Sequence, residues 1–190
     1  NPASGKIKTT GWAVWPTWES WTWPGYEGKE LEVEVYSKYP KVRLFLNQKL
    51  IGEQSTTEEQ EFKATFNVPY ANGELKAVGV VDNKEVETTI LKTSGDAAKI
   101  KLIVDRTEMS AAGQDLSFVT IEVTDKDGNL QPNAENRLEF TISGPGLIAG
   151  VDNANIKDVD PYVATSRKAW HGRALVVIKS TKIAGTIKLS

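Results

Sequence analysis

The chain has 190 residues, enough for one or two domains of ~100–200 residues, each with a core to bury. Charged residues make up 25% and hydrophobic residues 39%, and no apolar run approaches the ~20 residues that cross a bilayer, so neither a spanning helix nor a membrane partner is expected. With 23 Lys+Arg against 25 Asp+Glu and no cysteine, there is no basic block to neutralise nucleic-acid phosphates, and disulfides, thiolate metal sites and thiol nucleophiles are excluded.

The opening Asn1-Pro2-Ala3-Ser4-Gly5 has neither an initiator nor a charged-then-apolar targeting pattern, and Met109 is the single methionine. This predicts a piece of a longer protein. Residues 1–28 hold five of the six tryptophans, Trp12, Trp15, Trp18, Trp21 and Trp23, with prolines and glycines between them. No helical or strand period persists there. From Lys29 the chain alternates strictly, with Leu31, Val33 and Val35 on one face and Glu32 and Glu34 on the other, as a half-buried strand requires. Val42, Leu44 and Leu46 then alternate with Arg43 and Phe45, and Asn47-Gln48 turns the chain back through Leu50 and Ile51. Antiparallel pairing of these first two strands would set Glu32 and Glu34 beside Lys41 and Arg43, a charge match of up to ~1 kcal/mol per pair. Phe62-Ala64-Phe66-Val68, the run Leu75 to Val81, and Val86 to Leu91 follow, the last two joined by Asp82-Asn83.

Six short strands without a helical run have the spacing of a β-sandwich. Thr93-Ser94-Gly95-Asp96 interrupts the pattern, and a second series starts with Ile100-Leu102-Val104. It continues through Val119-Ile121-Val123, a Lys126-Asp127-Gly128-Asn129 hairpin turn, Leu138-Phe140-Ile142, a Gly144-Pro145-Gly146 corner, Leu175-Val177 and Ile187-Leu189. The expected fold is all-β: two tandem immunoglobulin-like antiparallel β-sandwich domains, residues 29–94 and 95–190, behind a Trp-rich connecting segment at 1–28.

Candidate chemistry is sparse. Glycoside hydrolysis needs two carboxylates held ~5–9.5 Å apart in a pocket, whereas the acids here fall on outward strand positions (Glu32, Glu34, Glu122, Glu139) or in turns (Asp82, Asp125, Asp127). His171, beside Gly172, has no second histidine and no nucleophile elbow to serve, so it reads as a locally bonded residue. No catalytic residue and no cofactor are expected. Asp125-Lys126-Asp127-Gly128-Asn129 begins like a calcium loop but lacks its later ligands, and a turn explains it better. Asp152, Asn153, Asn155, Asp158 and Asp160 form a second oxygen-rich stretch, for which an ordinary Asx loop is the simpler reading. No metal is assigned to either.

The tryptophans carry the most information, because aromatic side chains bury ~150–250 Å² each and such a density of indoles must pack on something. One reading is a platform on which sugar rings stack, with Trp15, Trp18, Trp21, Trp23 or Trp170 as candidates. The other is a connector packed on its own sandwich or on a further domain, and the lack of a regular strand-face spacing favours it.

At these residues a resemblance becomes specific. Trp15-Pro16-Thr17-Trp18-Glu19-Ser20-Trp21-Thr22-Trp23-Pro24-Gly25, the strand from Glu30 to Ser37, and Val42-Arg43-Leu44-Phe45-Leu46-Asn47-Gln48-Lys49-Leu50-Ile51-Gly52 resemble the domain that follows the catalytic barrel in bacterial glycoside hydrolase family 2 enzymes of β-galactosidase type. Asp127-Gly128-Asn129-Leu130, the stretch Gly144 to Asn153, and Arg167-Lys168-Ala169-Trp170-His171-Gly172-Arg173-Ala174 resemble the last sandwich domain of that family. Gln48 and Ala154 stand where the family pattern has glycine, and Thr22 where it has asparagine. The resemblance implies a parent glycosidase whose catalytic glutamates lie on a (β/α)₈ barrel outside this sequence. It further implies a non-catalytic accessory role here, with the barrel of the same chain as partner, and a periplasmic or secreted location. Oligosaccharide remains the alternative partner, a bacterial adhesin fragment the third reading, and a monomer the expected state.

Overall fold

A computed structural model describes residues 17–190. The chain divides into two compact units, Asn1–Thr93 and Ser94–Ser190. Both are built from antiparallel strands, and the described residues include no α-helix.

The first unit has six strands, β1 (Glu30–Tyr36), β2 (Lys41–Leu46), β3 (Lys49–Ser55), β4 (Lys63–Pro69), β5 (Glu74–Val81) and β6 (Lys84–Lys92). They form a two-stranded sheet, β1-β4, and a four-stranded sheet in the order β3-β2-β5-β6. Val42 and Leu44 from one sheet and Ala64, Phe66 and Val68 from the other share one buried cluster with Trp21, Tyr70 and Leu75. Alternation thus does what the pleat requires, turning every second side chain inward.

The expected pairing of β1 with β2 is not formed. The chain crosses between sheets at 37–40, so the antiparallel neighbour of β1 is β4, with Glu34 opposite Thr65. Glu34 accepts from Lys63 Nζ at 2.9 Å, which raises the Lys63 pKa, while Lys41 and Arg43 pair with Glu53 across β2 and β3 at 3.3 and 2.7 Å. The expected match of Glu32 and Glu34 with Lys41 and Arg43 therefore does not form, because these residues lie on strands of different sheets. Phe62 also departs from the expected alternation: it lies in a left-handed turn (φ 57°), 52% exposed, ahead of β4.

Two hairpins close through residue pairs with positive φ, Asn47-Gln48 (49° and 67°) and Asp82-Asn83 (48° and 63°), the requirement of a type I′ turn between right-twisted strands. Gln48 takes a conformation that costs an ordinary L-residue roughly 1–2 kcal/mol and that glycine adopts freely. Asn47 helps to hold the turn, its side chain accepting from Glu74 N–H at 2.8 Å and donating to Asn72 O at 3.0 Å. Ala154, the other departure from glycine, likewise has a positive φ of 60°.

The second unit contains β7 (Lys99–Val104), β8 (Leu116–Thr124), β9 (Arg137–Glu139), β10 (Ile142–Ser143), β11 (Gly146–Asp152), β12 (Ser166–Lys168), β13 (Arg173–Ser180) and β14 (Lys188–Leu189). One sheet runs β11-β13-β8-β7, accompanied by the ribbons β9-β12 and β10-β14. Val119, Ile121 and Val123 of β8 meet Val176 and Ile178 of β13 and Leu138 and Phe140 in the core. The expected single strand Leu138-Phe140-Ile142 is broken near Thr141, because β9 pairs with β12 and β10 with β14. β11 and β12 are not among the strands that alternation predicts. The turn at 126–129 returns the chain only as far as a single bridge, Thr124 to Leu130, rather than joining two long strands.

Candidate functional site

In the first unit Trp21 is 2% exposed. Its indole N–H donates to Ala71 O at 3.0 Å, its ring stands edge-on to Tyr70 (5.1 Å, 65°), and its backbone carbonyl accepts from the Thr93 hydroxyl at 2.8 Å. The Tyr70 hydroxyl accepts from Trp23 N–H at 3.1 Å and donates to Asn72 Oδ1 at 2.8 Å, while the Trp23 indole donates to Ser20 O at 3.1 Å. Residues 20–23 are therefore stitched into the sandwich. Trp21 is a core side chain, and a buried ring of this kind has no face to offer a sugar. Trp18 is 42% exposed and Trp23 half-buried. Both border a groove of about 1200 Å³ in this unit, lined by Leu31, Val33, Leu75 and Leu91 together with Glu32, Glu34, Lys38 and Glu87. Trp12 and Trp15 lie outside the described residues.

Of the acids singled out in the sequence, Glu32 and Glu34 line the groove beside Trp18, and Glu34 and Glu122 are held by basic partners. Glu122 is held by Arg173 at 3.1 Å and Lys101 at 3.5 Å, and Glu34 by Lys63. Among the described residues no group of three or more His, Cys, Asp or Glu gathers as metal ligands would. The His171 ring approaches Pro132 O at 3.2 Å and stands edge-on to Trp170 at 4.3 Å, and burial lowers its pKa.

Asp125 owes its surroundings to the turn. Its carboxylate accepts from Asn129 Nδ2 and from the backbone N–H groups of Gly95, Asp127 and Asn129, all at 2.9–3.0 Å. These bonds, the Asn129 side chain first, lower its pKa from 3.8 to about 2. Every oxygen is engaged in closing the turn. Because the folded-state pKa lies below the unfolded one, this stabilisation is complete above about pH 4 and is lost as pH falls through about 2. Asp125→Ala is expected to lower the stability of the second unit by about 2 kcal/mol at pH 7, and by much less near pH 2, in urea titrations of the two proteins.

The loop after β11 is organised around Arg167, a residue that the sequence reading included in a motif without a role. It is 1% exposed, although its place in a short polar strand suggests surface. Its guanidinium donates to Val151 O at 2.8 Å, Pro161 O at 2.9 Å and Asp160 O at 3.1 Å, and pairs with Asp158 at 3.2 Å. In Ser166-Arg167-Lys168 the middle residue points inward, a burial that shows only in the fold because a three-residue strand is too short to mark it in the sequence. Asp158 also accepts from Asn153 Nδ2 at 2.6 Å and from Asp160 N–H through Oδ1 at 2.9 Å, and the Asp160 amide is the main cause of its lowered pKa. His171 and Gly172 have consecutive positive φ values (52° and 75°), a tight turn that bridges Trp170 to Arg173 and sets Trp170 beside this loop. Between them lies a recess of about 330 Å³ lined by Glu135, Arg137, Asn155, Asp158, Lys168 and Trp170, among others.

Comparison with known proteins places these units. The model of glycoside hydrolase family 2 C-terminal domain 5 matches residues 100–190, nearly all of the second unit. The second unit is a glycoside hydrolase family 2 C-terminal domain. A domain of unknown function, DUF4982, matches residues 28–87 of the first. A β-galactosidase of Bacteroides ovatus is 36% identical over 90% of this chain, which corresponds to 20% of that protein. A β-glucuronidase of Formosa agariphila is 30% identical over 88% of the chain and 17% of its own length. Among solved structures, a family 2 member from Bacteroides cellulosilyticus is 43% identical with a TM-score of 0.85, over 90% of this chain and 24% of that one. A β-glycosidase from Bacteroides vulgatus is 31% identical with a TM-score of 0.84, over 90% of this chain and 22% of its own. The chain thus spans about a fifth of the length of the relatives it matches, and carries the sandwich region of a glycoside hydrolase family 2 protein.

Proposed function

We propose that this chain is a non-catalytic accessory region of a family 2 glycosidase of β-galactosidase type, whose two sandwiches brace the catalytic barrel of the same polypeptide and shape the approach to its active site. The observation that carries the reading is the match itself: residues 100–190 fit the family's C-terminal domain, and the similarity to a β-galactosidase is confined to a fifth of that protein. Supporting it, the strand-borne acids Glu34, Glu53 and Glu122 are all occupied by lysine or arginine partners, whereas hydrolysis needs two carboxylates facing one glycosidic bond. The exposed Trp18 and the groove beside it, with Leu31, Val33 and Leu91 among its lining, offer a surface for packing against the barrel.

The purified chain, incubated with nitrophenyl β-galactoside and nitrophenyl β-glucuronide, is expected to release no nitrophenol above the buffer rate. Turnover that follows the protein through denaturation, repurification and refolding would overturn the proposal.

A further inference from the structure

The recess beside Trp170 has the chemistry of a saccharide site. We propose that it binds an uncharged saccharide, one ring resting on Trp170 and its hydroxyls meeting the loop after β11. A pyranose has a face of C–H bonds and a rim of hydroxyls, so it is matched by an aromatic wall beside planar groups that can both donate and accept. Half-buried Trp170 supplies the wall, and Asn155, Asp158, Arg137 and Glu135 supply the planar groups.

Charge points to a neutral ligand. The lining acids Glu135, Asp158 and Asp160 are balanced by Arg137, Lys157 and Lys168. Most are already paired within the protein: Arg137 with Asp160 at 2.6 Å, Lys168 with Glu135 at 2.5 Å, and Asp158 with buried Arg167 at 3.2 Å. Such pairs present hydrogen-bonding edges without a net field that would select an anion or a cation. The walls are also fixed in advance. Arg167 ties the loop to three backbone carbonyls, and Asn153 donates to both Asp158 and Lys168 O, at 2.6 and 2.8 Å. Little ordering is then left to offset binding. Asn155 accepts from Lys157 N–H through Oδ1 at 3.0 Å, and its amide N–H₂ is the donor assigned to a sugar hydroxyl.

The test uses the full 190-residue chain, labelled so that the indole N–H signals of its six tryptophans are resolved by NMR, with the Trp170 signal assigned from Trp170→Phe. Lactose, cellobiose and xylobiose are the neutral probes, and glucuronic acid the charged one. At least one neutral probe is expected to shift the Trp170 signal saturably, and Asn155→Ala is expected to weaken that binding about 3- to 10-fold while leaving the other indole signals in place. The proposal is overturned if the Trp170 signal stays still with every neutral probe up to about 50 mM. It is equally overturned if Asn155→Ala leaves the affinity unchanged, or if glucuronic acid binds more tightly than every neutral sugar. None of these readouts depends on hydrolysis, so this site and the accessory role can fail separately.

Discussion

Arg167→Ala is expected to lower the stability of the second unit by about 3–5 kcal/mol, the loss typical of removing one partner from a buried charged network. For a unit of this size that corresponds to a fall in Tm of more than ~10 °C, large beside the total stability of ~5–15 kcal/mol usual for a domain. The reason is an imbalance created inside the fold. Without the guanidinium, the carbonyls of Val151, Asp160 and Pro161 and the Asp158 carboxylate lose their shared donor, and each unsatisfied buried group costs about 1–3 kcal/mol. Arg167→Met keeps much of the volume and still orphans those acceptors, so it should also destabilise. Arg137→Ala removes an exposed pair with Asp160, 55% and 34% accessible at its two ends, and should change stability by no more than ~1 kcal/mol. Thermal unfolding of the three variants followed by far-UV circular dichroism checks the ranking.

Trp21→Ala carries the second large effect, about 3–5 kcal/mol in the first unit, as expected for truncating a buried aromatic. The indole fills the space against Tyr70 and satisfies Ala71 O, so its loss leaves both a cavity and an unpaired carbonyl. Trp18→Ala, by contrast, removes a ring that is 42% exposed and should alter stability by about 0.5 kcal/mol or less. Urea titration of the two variants, read by near-ultraviolet circular dichroism, separates the tryptophan that holds the sandwich together from the one left at the surface. Similar losses for both would mean that Trp18 is as much a part of the core as Trp21.

The alternation of Val42, Leu44, Ala64, Phe66 and Val68 was enough to predict the strands of the first unit, because the two-residue period reports which face is buried. It could not predict that β1 pairs with β4, since the choice of strand partner depends on non-local packing that leaves no period in the sequence. Strands of two or three residues, such as β10 and β12, are too short to show alternation at all. The turns were legible for a different reason: Asn47-Gln48 and Asp82-Asn83 punctuate two apolar runs, and both adopt left-handed geometry, which Asn and Asp accept readily and Gln48 only at a cost. Within the candidate sites, composition drew attention to tryptophan but did not sort one indole from another. Trp21 proves to be core, Trp18 surface and Trp170 the wall of a recess. Arg167 was the residue least legible beforehand, since a buried arginine is recognised by carbonyls brought together only by the fold.

The most direct test of the accessory role is heat inactivation of the parent polypeptide with and without this 190-residue region, assayed by aryl β-glycoside turnover. The account predicts that the truncated enzyme keeps its turnover at low temperature and loses it at a distinctly lower temperature than the intact one. Equal inactivation temperatures would contradict it.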